Sequence, residues 1–214
     1  MKKKILIFSA GPMGRETRQL ILNINKLKNE WELIGYVDNN LKKKFKTIDN
    51  VKVYSEDDTP KNKDIYGVSV AADFKTREKI LKNQIIKNNY KITNLIHPSV
   101  YIPKCIKIGE GNIIFGNIHL SFEVNIKNFV ILSTFCDIGH NLIINDFATV
   151  MPSVTIGGNV KIGKNTFIGS GARIHQGINV GENCIIGMGS VITKNIKNNT
   201  SVVDHPRKVV TDIK

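Results

Sequence analysis

From Ile102 to Ile192, every sixth residue of the chain is a branched aliphatic: Ile102, Ile108, Ile114, Leu120, Ile126 and so on, sixteen in all. The position two residues earlier is mostly small or aliphatic, as at Val100, Ile106, Val124, Cys136, Ala148 and Cys184, and the position just after is often glycine, as at Gly109, Gly139, Gly157 and Gly163. A six-residue period cannot come from a helical stripe, which repeats every 3.6 residues. It requires short extended segments separated by sharp corners, with the same two side chains of each hexad facing inward. Three segments close one triangular coil. The repeat therefore predicts a parallel β-helix of about five coils, roughly 25 Å tall at a strand spacing of about 4.8 Å.

The first half has a different rhythm. Ile5–Phe8 is an apolar run followed by Ser9-Ala10-Gly11-Pro12-Met13-Gly14, after which Leu20 and Leu22 fall within a helical segment. This reads as strand, glycine turn and helix, an arrangement that presents backbone N–H groups to a phosphate or ribose edge. The turn departs from the dinucleotide fingerprint G-x-G-x-x-G, because Ser9 stands at the first glycine position. Trp31 to Val37 predicts a second strand ending at Asp38-Asn39, and Val68 to Ala72 another ending at Asp73. Three strand ends would meet at one carboxyl edge, where open parallel sheets bind ligands. Asp38 and Asp73 then either contact a ligand or cap loops. Arg77 to Lys87 has helical spacing. The expected organisation is a Rossmann-like α/β domain over residues 1–95 followed by a β-helix over 96–214.

Composition narrows the function classes. The chain of 214 residues is 41% apolar, enough to fill a core. Its apolar runs are far shorter than the roughly 20 residues of a spanning helix. Met1-Lys2-Lys3-Lys4 before Ile5 superficially resembles a leader, but the apolar stretch runs into the glycine turn and is read as a strand. A net charge of +13 would draw anionic ligands, yet the lysines are dispersed and no aromatic-interleaved basic face is present, which argues against a nucleic-acid partner. Cys105, Cys136 and Cys184 are odd in number and lack metal-type spacing, so a reducing cytoplasm is expected. Cys136 and Cys184 fall on the small inward position and are expected to fill the core.

The motifs Ile7 to Gly14, Tyr36-Val37-Asp38, Val70-Ala71-Ala72-Asp73 and Leu95-Ile96-His97-Pro98, followed by hexads, resemble the sialic acid O-acetyltransferase and UDP-4-amino-sugar N-acetyltransferase family of hexapeptide-repeat acyltransferases. The resemblance implies a left-handed β-helix, a homotrimer with active sites between subunits, and acetyl-CoA as acyl donor with no metal. It also implies a place in surface-glycan precursor synthesis. The family's catalytic stretch matches Ile138-Gly139-His140-Asn141, which makes His140 the general base. An imidazole suits that role because the attacking amine or hydroxyl must shed a proton near neutral pH. Relatives often carry Asp or Glu where this chain has Asn141, Asn-Thr where it has Ser133-Thr134, and a further histidine where it has Thr149.

By the same resemblance, Gly158 N–H would hold the oxyanion, and the pantetheine arm of CoA would pass Gly158, Ser170 and Met188. Arg207 and Lys208 could meet the CoA phosphates. Gly11, Met13, Gly14, Asp38, Asn39, Ala72 and Asp73 would clasp the nucleotide of the acceptor. The expected reaction is N-acetylation of a UDP-linked deoxy-aminosugar; O-acetylation of a sialic acid or another sugar hydroxyl, and a non-catalytic sugar-nucleotide binder, are the alternatives. A zinc site would need His97, His119, His140, His175 or His205 to converge, and their spacing does not suggest it.

Overall fold

A computed structural model describes residues 2–203. The N-terminal part is a five-stranded sheet in the order β3-β4-β2-β1-β5, parallel except for the β3–β4 hairpin. Its strands are β1 (Lys3–Phe8), β2 (Trp31–Val37), β3 (Thr47–Ile48), β4 (Val51–Tyr54) and β5 (Tyr66–Ser69). The apolar run of β1 is buried from Ile5 to Phe8 because the strand lies inside the sheet, between β2 and β5. Helix α1 (Pro12–Lys28) starts with proline at its first position, where a missing N–H costs nothing, and buries Leu20, Ile21 and Ile24. The short α2 (Asn39–Lys42) follows β2; α3 (Phe74–Ile80) follows β5 and continues as a π-helical stretch through Ile86. The strand expected at Val68 to Ala72 is displaced: β5 ends at Ser69, and Val70 to Asp73 form its outgoing loop.

The C-terminal part stacks two-residue strands into three parallel sheets. The first face runs from Leu95–Ile96 through Ile113–Ile114, Ile131–Leu132, Thr149–Val150 and Phe167–Ile168 to Ile185–Ile186 and Ser201–Val202. The chain passes from this face to a second, which carries His119–Leu120 and Asp137–Ile138, and then to a third, which carries Asn125–Ile126 and Ile143–Ile144. Residues 18 apart are ladder partners, as in Ile138 with Ile156 and Ile144 with Ile162. Five strands on each of the second and third faces match the expected five coils. The hexad aliphatics and the small positions form one continuous core that includes Cys136 and Cys184. Burial pushes the Cys136 thiol up to about 11, so this side chain is a packing group and not a thiolate.

The repeat begins at Leu95–Ile96, but the next hexad breaks. Tyr101 and Ile102 form no strand, and both are exposed. Ile102 therefore does not join the core as its register predicts. Pro98 and Pro103 flank this segment, and neither has an N–H to donate to a ladder.

The two parts share a core. Outward residues of the first face, Ile113 and Ile131, are buried against Ile5, Ile7, Leu20 and Trp31. Arg77 of α3 fastens the junction: 1% exposed, it donates to the carbonyls of Ala71 (2.6 Å) and Ala72 (3.2 Å), to Thr149 Oγ1 (3.0 Å), and to the carbonyls of Phe147 and Ala148. Burial pulls the guanidinium down to about 10, which leaves it charged at neutral pH.

Candidate active site

His140 lies at the corner between the second and third faces, just after the Asp137–Ile138 strand. Its half-buried ring is held from three sides. Phe122, one coil above, stacks on it with centroids 5.1 Å apart and planes at 6°. Asn141 Oδ1 lies 2.8 Å from Nδ1. Below, the imidazole occupies the space over Gly158: a Cβ built on that glycine would sit 2.5 Å from Nε2. The backbone of Gly158 is outside the left-handed region, so the glycine is required here by close approach alone.

Gly158 N–H takes no part in the ladder. Its neighbours do: Gly157 N–H donates to the Ile174 carbonyl (2.9 Å), and Asn159 N–H donates to the His140 carbonyl (2.8 Å). One backbone donor beside Nε2 is thereby left for another partner, on a frame locked by hydrogen bonds above and below. A free imidazole nitrogen next to a fixed N–H is an arrangement that can accept a proton while binding a developing oxyanion.

Sequence reasoning missed two members of this corner. Phe122 and Glu123 are 18 residues before His140 and Asn141, which is one coil, and Asn141 Nδ2 donates to Glu123 Oε2. Adding or subtracting 18 from the histidine position would have found both.

The other expected CoA contacts sit elsewhere on the prism. Ser170 and Met188 occupy the corner between the first and second faces, with Met188 79% exposed. They flank the same face as His140 but stand on its opposite edge, so one chain does not bring them together. Arg207 and Lys208 lie outside the described residues.

The expected acceptor-binding residues are spread over several clefts. Gly11 lines one of about 880 Å³ with Arg15, Arg18, Leu41, Phe45 and Asp49. There Arg15 forms a two-pronged pair with Asp49 (2.8 and 3.0 Å), and this hydrogen bonding holds the Asp49 carboxyl below its usual range. Met13 lines a second cleft of about 400 Å³ between α1 and the β-helix, with Gln19, Asn23, His97, Ser133 and Thr134. Asn39 and Asp38 line a third of about 370 Å³, with Ser9, Ala71 and Lys79. Ala72 and Asp73 border an apolar one of about 320 Å³ with Phe74, Phe147 and Phe167. His140 lines none of these four.

Several of these residues have work inside the fold. Asp38 accepts from Ala10 N–H (3.1 Å) and caps α2 through Asn40 and Leu41, while Asp73 caps α3 through Thr76 N–H (2.8 Å). Both aspartates therefore act as helix caps in the folded chain while also bordering a cleft. The Ala72 carbonyl accepts from Arg77 and from Thr149 Oγ1. Gly14 serves packing, since a Cβ there would lie 2.1 Å from the Ser9 carbonyl oxygen. Ser9, at the first glycine position of the fingerprint, holds φ at 122°, a conformation that ordinarily requires glycine.

The remaining described histidines do not gather around a metal. His119 Nδ1 is 2.8 Å from Asp137 Oδ1 on the exposed second face, His175 Nδ1 meets the Gln176 carbonyl at 3.0 Å, and His97 contacts Asn23 and Ser99. Among the described residues, no three His, Cys, Asp or Glu side chains form a metal-holding group. Nor is any described helix long and apolar enough to cross a membrane.

A family model described as hexapeptide repeat of succinyl-transferase matches residues 159–194. No curated protein sequence matches the chain. Among solved structures, the fold is similar to the acetyltransferase domain of PglB from Neisseria gonorrhoeae FA1090, with a TM-score of 0.85 and 21% identity over 97% of this chain and 99% of that one. That domain also has a structure in complex with acetyl coenzyme A. A mutant of perosamine N-acetyltransferase from Caulobacter crescentus, in complex with CoA and GDP-perosamine, gives 0.80 and 18% over 98% and 97%. WeeI from Acinetobacter baumannii AYE gives 0.62 and 21% over 94% and 97%. The family model bears out the hexapeptide repeat over residues 159–194, and the structural matches bear out the fold along nearly the whole chain.

Proposed function

We propose that the protein is an acetyl-CoA-dependent sugar acetyltransferase, and that its acceptor is the amino group of a UDP-linked deoxy-aminosugar used for surface glycans in the cytoplasm. The observation that carries the reading is the pairing of His140 Nε2 with the unladdered Gly158 N–H on one rigid corner. In the reaction, the amine nitrogen attacks the thioester carbonyl and forms the C–N bond. His140 Nε2 takes the amine proton, and Gly158 N–H binds the oxygen as it gains charge. Collapse of the tetrahedral intermediate breaks the C–S bond, and the imidazolium returns its proton to the departing thiolate. Asn141 holds the ring through Nδ1. The likeness in fold to a perosamine N-acetyltransferase with CoA and a nucleotide sugar bound supports this reaction class.

The first 95 residues serve, in this reading, as a Rossmann-like nucleotide-binding domain, and residues 96–214 as a left-handed acyltransferase β-helix. Gly11, Met13 and Asn39 each line a cleft that could take the acceptor. Because Ser170 and Met188 stand on the edge opposite His140, a complete site needs that edge of one subunit beside the His140 corner of the next. A homotrimer satisfies this requirement.

The test is a thiol-release assay with acetyl-CoA against UDP-4-aminosugars, GDP-4-aminosugars and free sialic acids. Turnover with an aminosugar nucleotide that falls roughly 10²- to 10⁴-fold in His140→Ala, with binding of both substrates retained, is the expected result. Turnover confined to a hydroxyl acceptor assigns O-acetylation instead. Tight nucleotide-sugar binding without any thiol release assigns a non-catalytic binder.

A further inference from the structure

Glu123 carries no role in the reaction as described above, yet its carboxylate ends a chain of side chains that begins at the imidazole. His140 Nδ1 is 2.8 Å from Asn141 Oδ1, and Asn141 Nδ2 donates to Glu123 Oε2. We infer that Glu123 is a positioning residue that sets the tautomer of His140 through the Asn141 amide. The inference rests on the proposed role of His140 as base.

The argument follows from what each group can do. An ionised carboxylate only accepts hydrogen bonds. Its partner on Asn141 must therefore be the NH2 end, which turns the amide oxygen toward His140. An amide oxygen also only accepts, so the imidazole must carry its hydrogen on Nδ1. The Nε2 lone pair is left bare, and Nε2 is the nitrogen that stands over Gly158. Without the carboxylate, Asn141 could present either end, and the ring could hold its hydrogen on either nitrogen. The glutamate thus removes an ambiguity that a lone asparagine leaves. It also places a negative charge one amide away from the imidazolium that forms when the base takes a proton.

The charged surroundings of the ring point to the same residue. The coil above contributes Phe122 and Glu123, the coil below contributes Gly158 and Asn159, and on its own coil Asp137 is already paired with His119 at 2.8 Å. Glu123 is the charged group joined to the imidazole by side-chain hydrogen bonds.

The experiment uses full-length protein in four forms: wild type, Glu123→Gln, Asn141→Asp and the double variant. Two-bond proton–nitrogen correlation spectra, assigned with His140→Gln, report the tautomer of His140 without reference to turnover. Wild type is expected to show the hydrogen on Nδ1. Glu123→Gln is expected to mix the tautomers and to reduce kcat roughly ten- to hundredfold with KM little changed. Asn141→Asp alone places two carboxylates together and is expected to be impaired as well. The double variant gives the ring a direct carboxylate and is expected to recover most of what Glu123→Gln loses, which a merely structural role for Glu123 cannot explain. Unchanged nitrogen spectra in Glu123→Gln, or a double variant no better than that single one, overturns the inference. Absence of turnover in wild type overturns the acetyl-transfer reading instead, and the spectra still decide the relay.

Discussion

The β-helix and the α/β part encode neighbours in opposite ways. In the β-helix, residues 18 apart touch, so Phe122 lies over His140 and Glu123 beside Asn141 by arithmetic. In the α/β part, Arg15 meets Asp49 and Asp38 meets Ala10 through loops whose lengths follow no rule. A periodic backbone also leaves its corner side chains free for chemistry, because the core needs only the inward positions of each hexad. An irregular sheet edge spends its polar residues on its own turns, and Asp38 and Asp73 are spent as helix caps. A polar residue at a strand end is thus weaker evidence for a ligand than the same residue at a β-helix corner.

The largest expected effect tests the β-helix side of that contrast. Gly158→Ala leaves an acceptable backbone angle but puts a methyl group where the His140 ring now sits. The ring must move, and it loses its register with the Gly158 N–H. A fall in kcat/KM of roughly 10²- to 10³-fold is expected, with a melting temperature close to wild type. Full activity in Gly158→Ala would show that ring and N–H do not act together.

The next effect is on stability and lies at the junction. Arg77 is buried and forms no ion pair among the described residues, the Asp73 carboxylate acting on it only through space, and its value lies in the five acceptors it satisfies on both sides. Arg77→Leu should remove about 3 kcal/mol, because buried carbonyls would lose a charged donor. Calorimetry should then resolve an early transition for the α/β part ahead of the β-helix. A single transition at the wild-type temperature would mean that the shared apolar surface of Ile113 and Ile131 suffices to hold the parts together.

What the sequence reveals follows the same division. The hexad repeat leads directly to the coils, the core and the fillers Cys136 and Cys184, because one rule governs every turn of the chain. It fails at Ile102, where prolines remove the donors that the rule assumes. A second signal was present in the sequence at a longer period: the outward positions of the first face, Leu95, Ile113, Ile131, Thr149, Phe167 and Ile185, are apolar but for Thr149, whereas those of the second, His119, Asp137, Thr155, Arg173 and Val191, are polar but for Val191. Taken every eighteenth residue, that contrast shows which face the α/β part covers. The α/β part was legible as strand, turn and helix, but the β3–β4 hairpin and the Arg77 clamp depend on tertiary contacts that no local pattern encodes. The His140 corner was legible through family resemblance in His140 and Gly158, while Glu123 needed the coil geometry.

A smaller effect tests the α/β side. Ser9 holds a φ of 122° at the end of β1, and the Gly14 backbone packs against its carbonyl. Ser9→Gly should relieve that strain and raise stability by about 1 kcal/mol. Denaturant unfolding measures this. A loss of stability accompanied by weaker nucleotide-sugar binding would show instead that the strained serine is kept for the ligand.

The smallest effect concerns His97, where the two parts meet. Its ring contacts Asn23 of α1 at 3.1 Å and Ser99 at 2.8 Å, and burial lowers its pKa below the usual 6.5. The fold therefore favours the neutral ring. That contribution is present above pH 6.5 and is lost as the pH falls through the lowered value, because the unfolded chain takes up the proton first. Between pH 7.5 and pH 5, wild type should lose about 2 °C more in melting temperature than His97→Gln. Staying above pH 5 keeps Asp49, Asp58, Asp64 and Asp73, whose pKa values are lowered, out of the comparison. Parallel curves for the two proteins would mean that the ring titrates as freely in the fold as in the unfolded chain, and the junction would then hold no proton-sensitive contact at this position.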